Sequence, residues 1–437
     1  MDRDLVEAAR CCAEAGWAWV LDQVHHDDLG PWIPIAVPFD GGHVDLPAER
    51  DFVYDGIAGL ALALAELRLA RPLTGAEGEL AGAVVDRLAV SDFEGEGGLY
   101  IGLSGAAAAV ALLDRRPVPS MVARLAALRT DDGWLSRTVS ETAVPVNDIV
   151  MGDAGTILAG VWLDDPAADE LVASAADELL ARAFETESGL AWKMYQGDRD
   201  RWMPNYSHGT AGVAAALAVA GHRLARADLV EAARLGAAHV VSLADLGDGG
   251  FRLPLQIPPA EDREPFAYGW CHGPTGTIHL FGALQHAGVE EVAGAPTLDW
   301  RARCVRSLTT SGLPDRLRPG FWDNDGRCCG TAGVLDVVLT EFQATGDDDL
   351  LAFADRLAAV LVEHAVPMTP DRSRCCWRFH EHRADPPELD PGVGWMQGAA
   401  GIVAALSRYA RVRGEGTGAP RLGLPDGWWM HVDPPTS

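Results

Sequence analysis

Thiols and imidazoles recur just ahead of three glycines in this chain. Cys271-His272 precedes Gly273, Cys328-Cys329 precedes Gly330, and Ser207-His208 precedes Gly209. Cys271 and Cys328 each stand two residues before their glycine, and His272, Cys329 and His208 stand one before. Three or four such soft ligands from matching places could make a zinc site, and three protein ligands with an open fourth position is the catalytic arrangement. No CxxC pair accompanies them. The spacing therefore leaves two readings: a metal centre, or buried thiols that fill a core as free cysteines commonly do. An imidazole titrates near neutral pH, which makes His208 a candidate for proton transfer; a core or helix-capping role is the bland alternative. His272 divides the same way between a second acid/base, a substrate contact and packing. Asp148, four residues before Gly152 in VNDIVMGDAG, could orient an imidazole or merely cap the helix that follows.

These positions matter only if something brings them together, and a repeat does. Gly-x-x-Gly followed by an apolar run begins at Gly56, Gly102, Gly152, Gly209, Gly273, Gly330 and Gly398, at spacings of 46, 50, 57, 64, 57 and 68 residues. One match would mean nothing; seven, each opening an Ala/Leu/Val-rich segment of helical length, mark a repeat. Small residues three apart share one face of a helix's first turn. Glycine there admits a second backbone and leaves the terminal amides open to a ligand or an anion. The segments that follow are apolar nearly all round, so burial is expected. Amphipathic stretches lie between them, at Asp4–Leu21, Ala76–Leu88, Ala167–Ala183, Ala227–Leu243 and Asp349–Leu361. Each repeat thus reads as one polar-faced helix and one buried helix. Seven such hairpins closed head to tail predict an all-α fold, a double-ring α/α toroid, spanning residues 1–437 as a single domain. An open solenoid would have more regular repeats and polar capping ends. Irregular spacing suits loops that carry function on one face. Pro367–Pro391, rich in proline and charge, is expected to be a long irregular loop within the last repeat.

The composition agrees with packed helices. Hydrophobic residues make up 48%, aromatic residues 7% and charged residues 22%, which excludes a mostly disordered chain. Thirty-five Lys and Arg against 63 Asp and Glu give a net charge of −28, which disfavours nucleic acid and anionic membranes as partners. No apolar run reaches the roughly 18 residues that span a bilayer. The acidic start MDRDLVEAARCC lacks a signal-peptide core, so a cytoplasmic protein is expected. Its eight cysteines are then reduced thiols, better read as ligands, reactive groups or core fillers than as disulfides. Asn205-Tyr206-Ser207 matches a glycosylation sequon, which carries almost no weight without a secretory route. No nucleotide-binding glycine motif is present.

The combination NYSHGTAG, GWCHGPTG and RCCGTAG, with Gly-x-x-Gly in all seven repeats, resembles the lanthionine synthetase C-like family over nearly the whole chain. The resemblance implies an α/α toroid of seven hairpins around a zinc ion. It implies an activity that joins a peptide Cys thiol to a dehydroalanine or dehydrobutyrine as a thioether. By position it implies Cys271, Cys328 and Cys329 as zinc ligands, His208 as the catalytic His and Asp148 as the catalytic Asp. Many members have His where Cys329 stands, and a Cys-Cys-Gly branch is known, so the departure implies an all-thiolate site. Many bacterial cyclases have Tyr where His272 stands, whereas eukaryotic members that bind glutathione also read Trp-Cys-His-Gly. An Arg four residues before the first ligand in some cyclases is Ala267 here. These departures bear on substrate choice and on the route of the proton.

Four functions compete. A stand-alone cyclase would act on a dehydrated, ribosomally made precursor peptide and would need a separate dehydratase, or kinase and lyase enzymes, because the chain has no room for such a module ahead of the toroid. A second enzymatic reading adds glutathione or another small thiol to dehydroamino acids, and His272 supports it. A zinc-stabilised peptide-binding scaffold without chemistry is the third; the joint presence of Cys271, Cys328, Cys329 and His208 argues against it. A toroidal glycosidase would want paired carboxylates. Asp55 and Asp148 are the obvious pair, and that reading leaves the clustered thiols unexplained. Elsewhere, Cys11, Cys12 and Cys304 are expected to fill the core. Cys375 and Cys376, with His380 and His382, fit no standard zinc spacing and are assigned a structural or substrate-contact role. Trp428 and Trp429 are expected to pack.

Overall fold

Ala/Leu/Val-rich and amphipathic segments alternate as fourteen α-helices in the computed structural model, which describes residues 2–431 except 40, 41, 43, 45, 115–117, 196, 198–201, 260–263, 316–323 and 382–384. They are α1 Asp2–Asp22, α2 Ile57–Ala70, α3 Gly75–Val90, α4 Leu103–Asp114, α5 Pro119–Leu128, α6 Asp153–Leu163, α7 Pro166–Arg182, α8 Thr210–Leu224, α9 Ala227–Leu243, α10 Pro274–His286, α11 Thr297–Thr309, α12 Thr331–Thr345, α13 Asp348–Glu363 and α14 Ala399–Glu415. Every even-numbered helix starts at the residue after the first glycine of a Gly-x-x-Gly. Their small apolar side chains are buried all round: in α8 every residue from Thr210 to Gly221 is buried. The odd-numbered helices bury one stripe. Leu350, Phe353, Ala354, Leu357 and Leu361 of α13 face inward at helical spacing, as an amphipathic surface helix requires. Local signals set their ends. Thr74 and Glu77 form a capping box on α3, Asp165 and Asp347 cap α7 and α13, and left-handed residues at Asp164, Ala225 and Gly346 stop α6, α8 and α12.

The helices fall into two compact units. The first takes Met1–Ser91, Leu112–Arg115 and Thr309–Leu422, and the second takes Asp92–Ala111, Arg116–Leu308 and Gly423–Ser437. In the first, α14 packs on α1, α2 and α12, and α12 packs on α13. In the second, α8 packs on α6, α9 and α10, and α6 packs on α7. Buried helix thus lies against buried helix, with amphipathic helices covering them. Of the buried helices, α14 is the least apolar. Arg408 of α14 reaches Asp336 Oδ1 (2.7 Å) and Gln343 Oε1 (2.9 Å) on α12, and Arg411 pairs with Glu66 of α2.

The turns before the buried helices share one hydrogen-bond plan. At α8, Thr210 N–H donates to the Met203 carbonyl (3.4 Å) and Ala211 N–H to the Pro204 carbonyl (3.1 Å). Asp153 with Val146, Thr331 with Asn324, and Ala399 with Gly392 repeat the first of these bonds. The loop folds back so tightly that a Cβ on Gly212 would overlap the Tyr206 carbonyl oxygen. Glycine is needed for this close approach. The helix amides are therefore occupied by their own loop and do not form the open anion site expected of the glycine turns. Neighbouring turns are also bonded to each other through the residue two before each glycine. Ser207 N–H donates to the Cys271 carbonyl (3.1 Å), Cys328 N–H to Met396 (2.9 Å) and Met396 N–H to Tyr54 (2.9 Å).

Amphipathic helices lock these turns from their C-terminal ends. Arg87 of α3 binds Asp51, Arg182 of α7 binds Asn147, and His364 after α13 binds both oxygens of Asp325 at 3.0 Å. Asp51, Asn147 and Asp325 each stand five residues before their turn glycine. The stretch Pro367–Pro391 is more ordered than expected. Among its described residues, Cys375–Cys376 pairs with Val366–Pro367, and Phe379–His380 pairs with Glu388–Leu389; His382 lies outside the described residues. Cys304 is buried as expected, but Cys11 is exposed and Cys12 only half-buried, because α1 turns that edge to solvent. Trp429 is buried, its Nε1 donating to the His279 carbonyl at 3.0 Å, and Trp428 packs edge-on against His286. No helix among the described residues is long and apolar enough to cross a membrane.

Candidate functional site

In the second unit, the turns ahead of α6, α8 and α10 carry Asp148, His208 and Cys271-His272. Asp148 is buried and uses its two oxygens differently. Oδ1 accepts from the amides of Met151 (2.8 Å) and Gly152 (3.0 Å), closing the turn, and Oδ2 lies 2.6 Å from His208 Nδ1. An ionised carboxylate can only accept, so His208 carries hydrogen on Nδ1 and Nε2 is left to exchange a proton. Asp148 thus closes the turn and holds the imidazole, but it does not cap α6, whose N-terminus at Gly152 has no side-chain cap. The His208 side chain is 24% exposed, which leaves it open to a reactant.

His272 is held by Asn205, which is fully buried. Asn205 Nδ2 donates to the carbonyls of Pro254 (2.9 Å) and His272 (3.0 Å), and its Oδ1 lies 3.1 Å from His272 Nδ1. With both amide hydrogens committed, that oxygen accepts, so Nδ1 of His272 is a donor too. The two imidazole rings lie 5.9 Å apart between centroids. Cys271 is buried, and its carbonyl receives both the amide and the hydroxyl of Ser207, at 3.1 and 3.0 Å. Asn205 matters as the support of His272, a role that the sequon pattern hid. Asp426 is a second residue without a sequence signal. Its carboxylate Oδ2 receives Tyr100 (2.7 Å) and Trp270 (3.1 Å), so a segment near the C-terminus pins the turn that holds Cys271.

In the first unit, Cys328 is buried and Cys329 half-buried, with their sulfurs 3.4 Å apart. The Tyr54 hydroxyl donates to Cys328 Sγ at 3.2 Å and accepts from Gln397 Nε2 at 3.0 Å. Burial, and then Cys328, Cys329 and Asp55, raise the Tyr54 phenol well above its ordinary value, so it stays a donor. Burial and nearby Glu49 push the Asp55 carboxyl up to about 7. Cys328 and Cys329 are the adjacent thiols of the first unit, and Cys271 holds the matching place of its own repeat in the second. Cys375 instead lies 4.0 Å from Cys12, sulfur to sulfur, and His380 lies 3.7 Å from Glu388.

Residues 47–412 match the family described as lanthionine synthetase C-like protein. The chain belongs to that family. Among solved structures it is similar to nisin cyclase, with a TM-score of 0.56 and 14% identity over 83% of this chain and 89% of that one. It is also similar to the Lin0763 protein from Listeria innocua, with a TM-score of 0.50 and 12% identity over 94% and 98%. A comparison with curated proteins gives no match. The lanthionine synthetase C-like fold, an all-α toroid of α/α hairpins, is the one the glycine repeat predicts.

Proposed function

We propose that the protein is a zinc-dependent thioether cyclase that adds peptide Cys thiols to dehydroalanine or dehydrobutyrine in a ribosomally made peptide. Membership of the lanthionine synthetase C-like family supports a cyclase type of enzyme, and the likeness to nisin cyclase supports a peptide substrate. The observation that carries the proposal is the pair Cys328 and Cys329, with sulfurs 3.4 Å apart, together with Cys271 at the same place in its own repeat. Three soft thiolates suit zinc. Two of the three are buried while Cys329 keeps some exposure, as a centre that admits a substrate should. When bound, zinc would turn a substrate thiol into a thiolate at neutral pH.

The remaining chemistry falls to the chain's own side chains. A C–S bond forms at the β-carbon of the alkene, and the α-carbon must gain a proton. His208 Nε2 is our candidate donor, with Asp148 Oδ2 stabilising the charged imidazole through Nδ1. His272, fixed by Asn205, would serve as a second acid/base or as a substrate contact. The dehydrated precursor peptide would be made by a separate dehydratase, or by kinase and lyase enzymes.

The test begins with elemental analysis of wild type and Cys329→Ala. About one zinc per wild-type chain, reduced in the variant, is expected. Wild type should then protect peptide cysteines from alkylation when incubated with a dehydrated peptide, with no change in peptide mass. Zinc-free wild-type protein with its fold intact would overturn the proposal. Addition of free glutathione in preference to the peptide's own thiols would favour the small-thiol reaction instead.

A further inference from the structure

Tyr54 stands two residues before Gly56, the place that Cys271 and Cys328 hold in their own repeats. Its phenol oxygen lies 3.2 Å from Cys328 Sγ. Gln397, one residue before Gly398, donates from Nε2 to that oxygen at 3.0 Å. A phenol has one hydrogen to give. Gln397 supplies a hydrogen and takes none, so Tyr54 directs its own at the sulfur. The turns that carry the three groups are joined by backbone bonds, Cys328 N–H to Met396 and Met396 N–H to Tyr54, both 2.9 Å. The phenol is therefore held against Cys328 from both sides.

We propose that Tyr54, oriented by Gln397, is a positioning residue that keeps Cys328 a spectator sulfur, so that the substrate thiol is the one that attacks the alkene. The inference rests on the assignment of Cys271, Cys328 and Cys329 as zinc ligands. In an all-thiolate centre each protein sulfur is itself a nucleophile, and something must make the ligands duller than the substrate. A hydrogen bond to a ligating sulfur withdraws electron density from it. Tyr54 provides one from a neutral donor, which lowers nucleophilicity without adding a charge that would compete for the thiolate.

The test uses the zinc-loaded full-length protein and iodoacetamide, which forms a C–S bond with the attacking sulfur as its C–I bond breaks and iodide leaves. Mass spectrometry follows alkylation at Cys328, and a chromogenic chelator follows zinc release. Tyr54→Phe keeps the ring and removes the hydroxyl. Gln397→Leu keeps the hydroxyl and lets its hydrogen turn away. We expect equal zinc content at the start and alkylation of Cys328 about fivefold to tenfold faster in Tyr54→Phe, with a smaller rise in Gln397→Leu. The Co2+-loaded Tyr54→Phe protein should show a shifted thiolate-to-metal charge-transfer band. A zinc-loaded Tyr54→Phe protein whose Cys328 reacts at the wild-type rate overturns the inference while leaving the zinc assignment standing. Wild-type protein without zinc overturns both. If Tyr54→Phe fails to fold, Gln397→Leu decides, and an unchanged Cys328 rate there overturns the inference.

Discussion

Asp148 shows how much one side chain can carry. One oxygen closes the turn ahead of α6 and the other holds His208, so the two roles can be separated by substitution. Asp148→Asn keeps an oxygen for the amides of Met151 and Gly152. It turns an NH2 toward His208, which must then leave Nδ1 bare and carry its hydrogen on Nε2 as a neutral ring. We expect unfolding free energy within about 1 kcal/mol of wild type and a cyclisation rate lower by about 100-fold or more. Asp148→Ala should lose the turn as well, at about 1–2 kcal/mol. Urea unfolding beside a rate assay separates the two variants, and a loss of less than about threefold in Asp148→Asn would remove Asp148 from proton transfer. The pairing of Asp148 with His208 could be anticipated from motif positions. The supports could not: Asn205 carried only a sequon pattern, and Tyr54 only a place in the repeat. Their roles depend on side chains from distant turns, which no local pattern encodes.

Helical elements were far easier to anticipate. Ala227–Leu243 matches α9, and Asp4–Leu21, Ala76–Leu88, Ala167–Ala183 and Asp349–Leu361 fall within two residues of α1, α3, α7 and α13 at each end. Periodicity over three turns or more is a strong signal. The small hairpins are two or three residues per strand, too short to show alternation, so Pro367–Pro391 read as loop. The glycine repeat is plain in the sequence, but only half of its purpose is. The close approach is real, whereas the helix amides are taken up by the preceding loop. A matched pair of substitutions measures this. At Gly212 an added Cβ meets the Tyr206 carbonyl, and at Gly78 in α3 it meets nothing within 4 Å. Gly212→Ala should destabilise by about 3 kcal/mol or more, through strain in the turn that presents His208. Gly78→Ala should stabilise by about 0.5–1 kcal/mol by helix propensity alone. Equal small effects in urea unfolding would mean that the turn yields easily and that glycine is not required there.

At the scale of the whole molecule, stability against pH is the sum of opposing buried groups. The net charge of −28 relaxes as carboxylates gain protons. Burial holds the Asp55 carboxyl near 7 and the Asp153 carboxyl near 6. Both are raised above their unfolded values, so their contributions are complete in acid and are lost as pH rises through those values. His286 works the other way. It closes α10 beside His222, with ring centroids 4.3 Å apart, and burial first, then His222, push its pKa down to about 4. Its folded value lies below the unfolded one, so its contribution is present above about 6.5 and is lost as pH falls toward 4. His286→Phe keeps a flat ring against Trp428 and removes that penalty. The difference in unfolding free energy between His286→Phe and wild type should therefore move in favour of the variant by about 1–2 kcal/mol between pH 7 and pH 4.5, allowing for solvent screening of a half-exposed ring. Urea unfolding at the two pH values measures that difference directly. If it is the same at both, His286 titrates normally in the native state, and acid sensitivity must come from the carboxylates that arginines hold in their ionised form, such as Glu77, which Arg71 lowers to about 2.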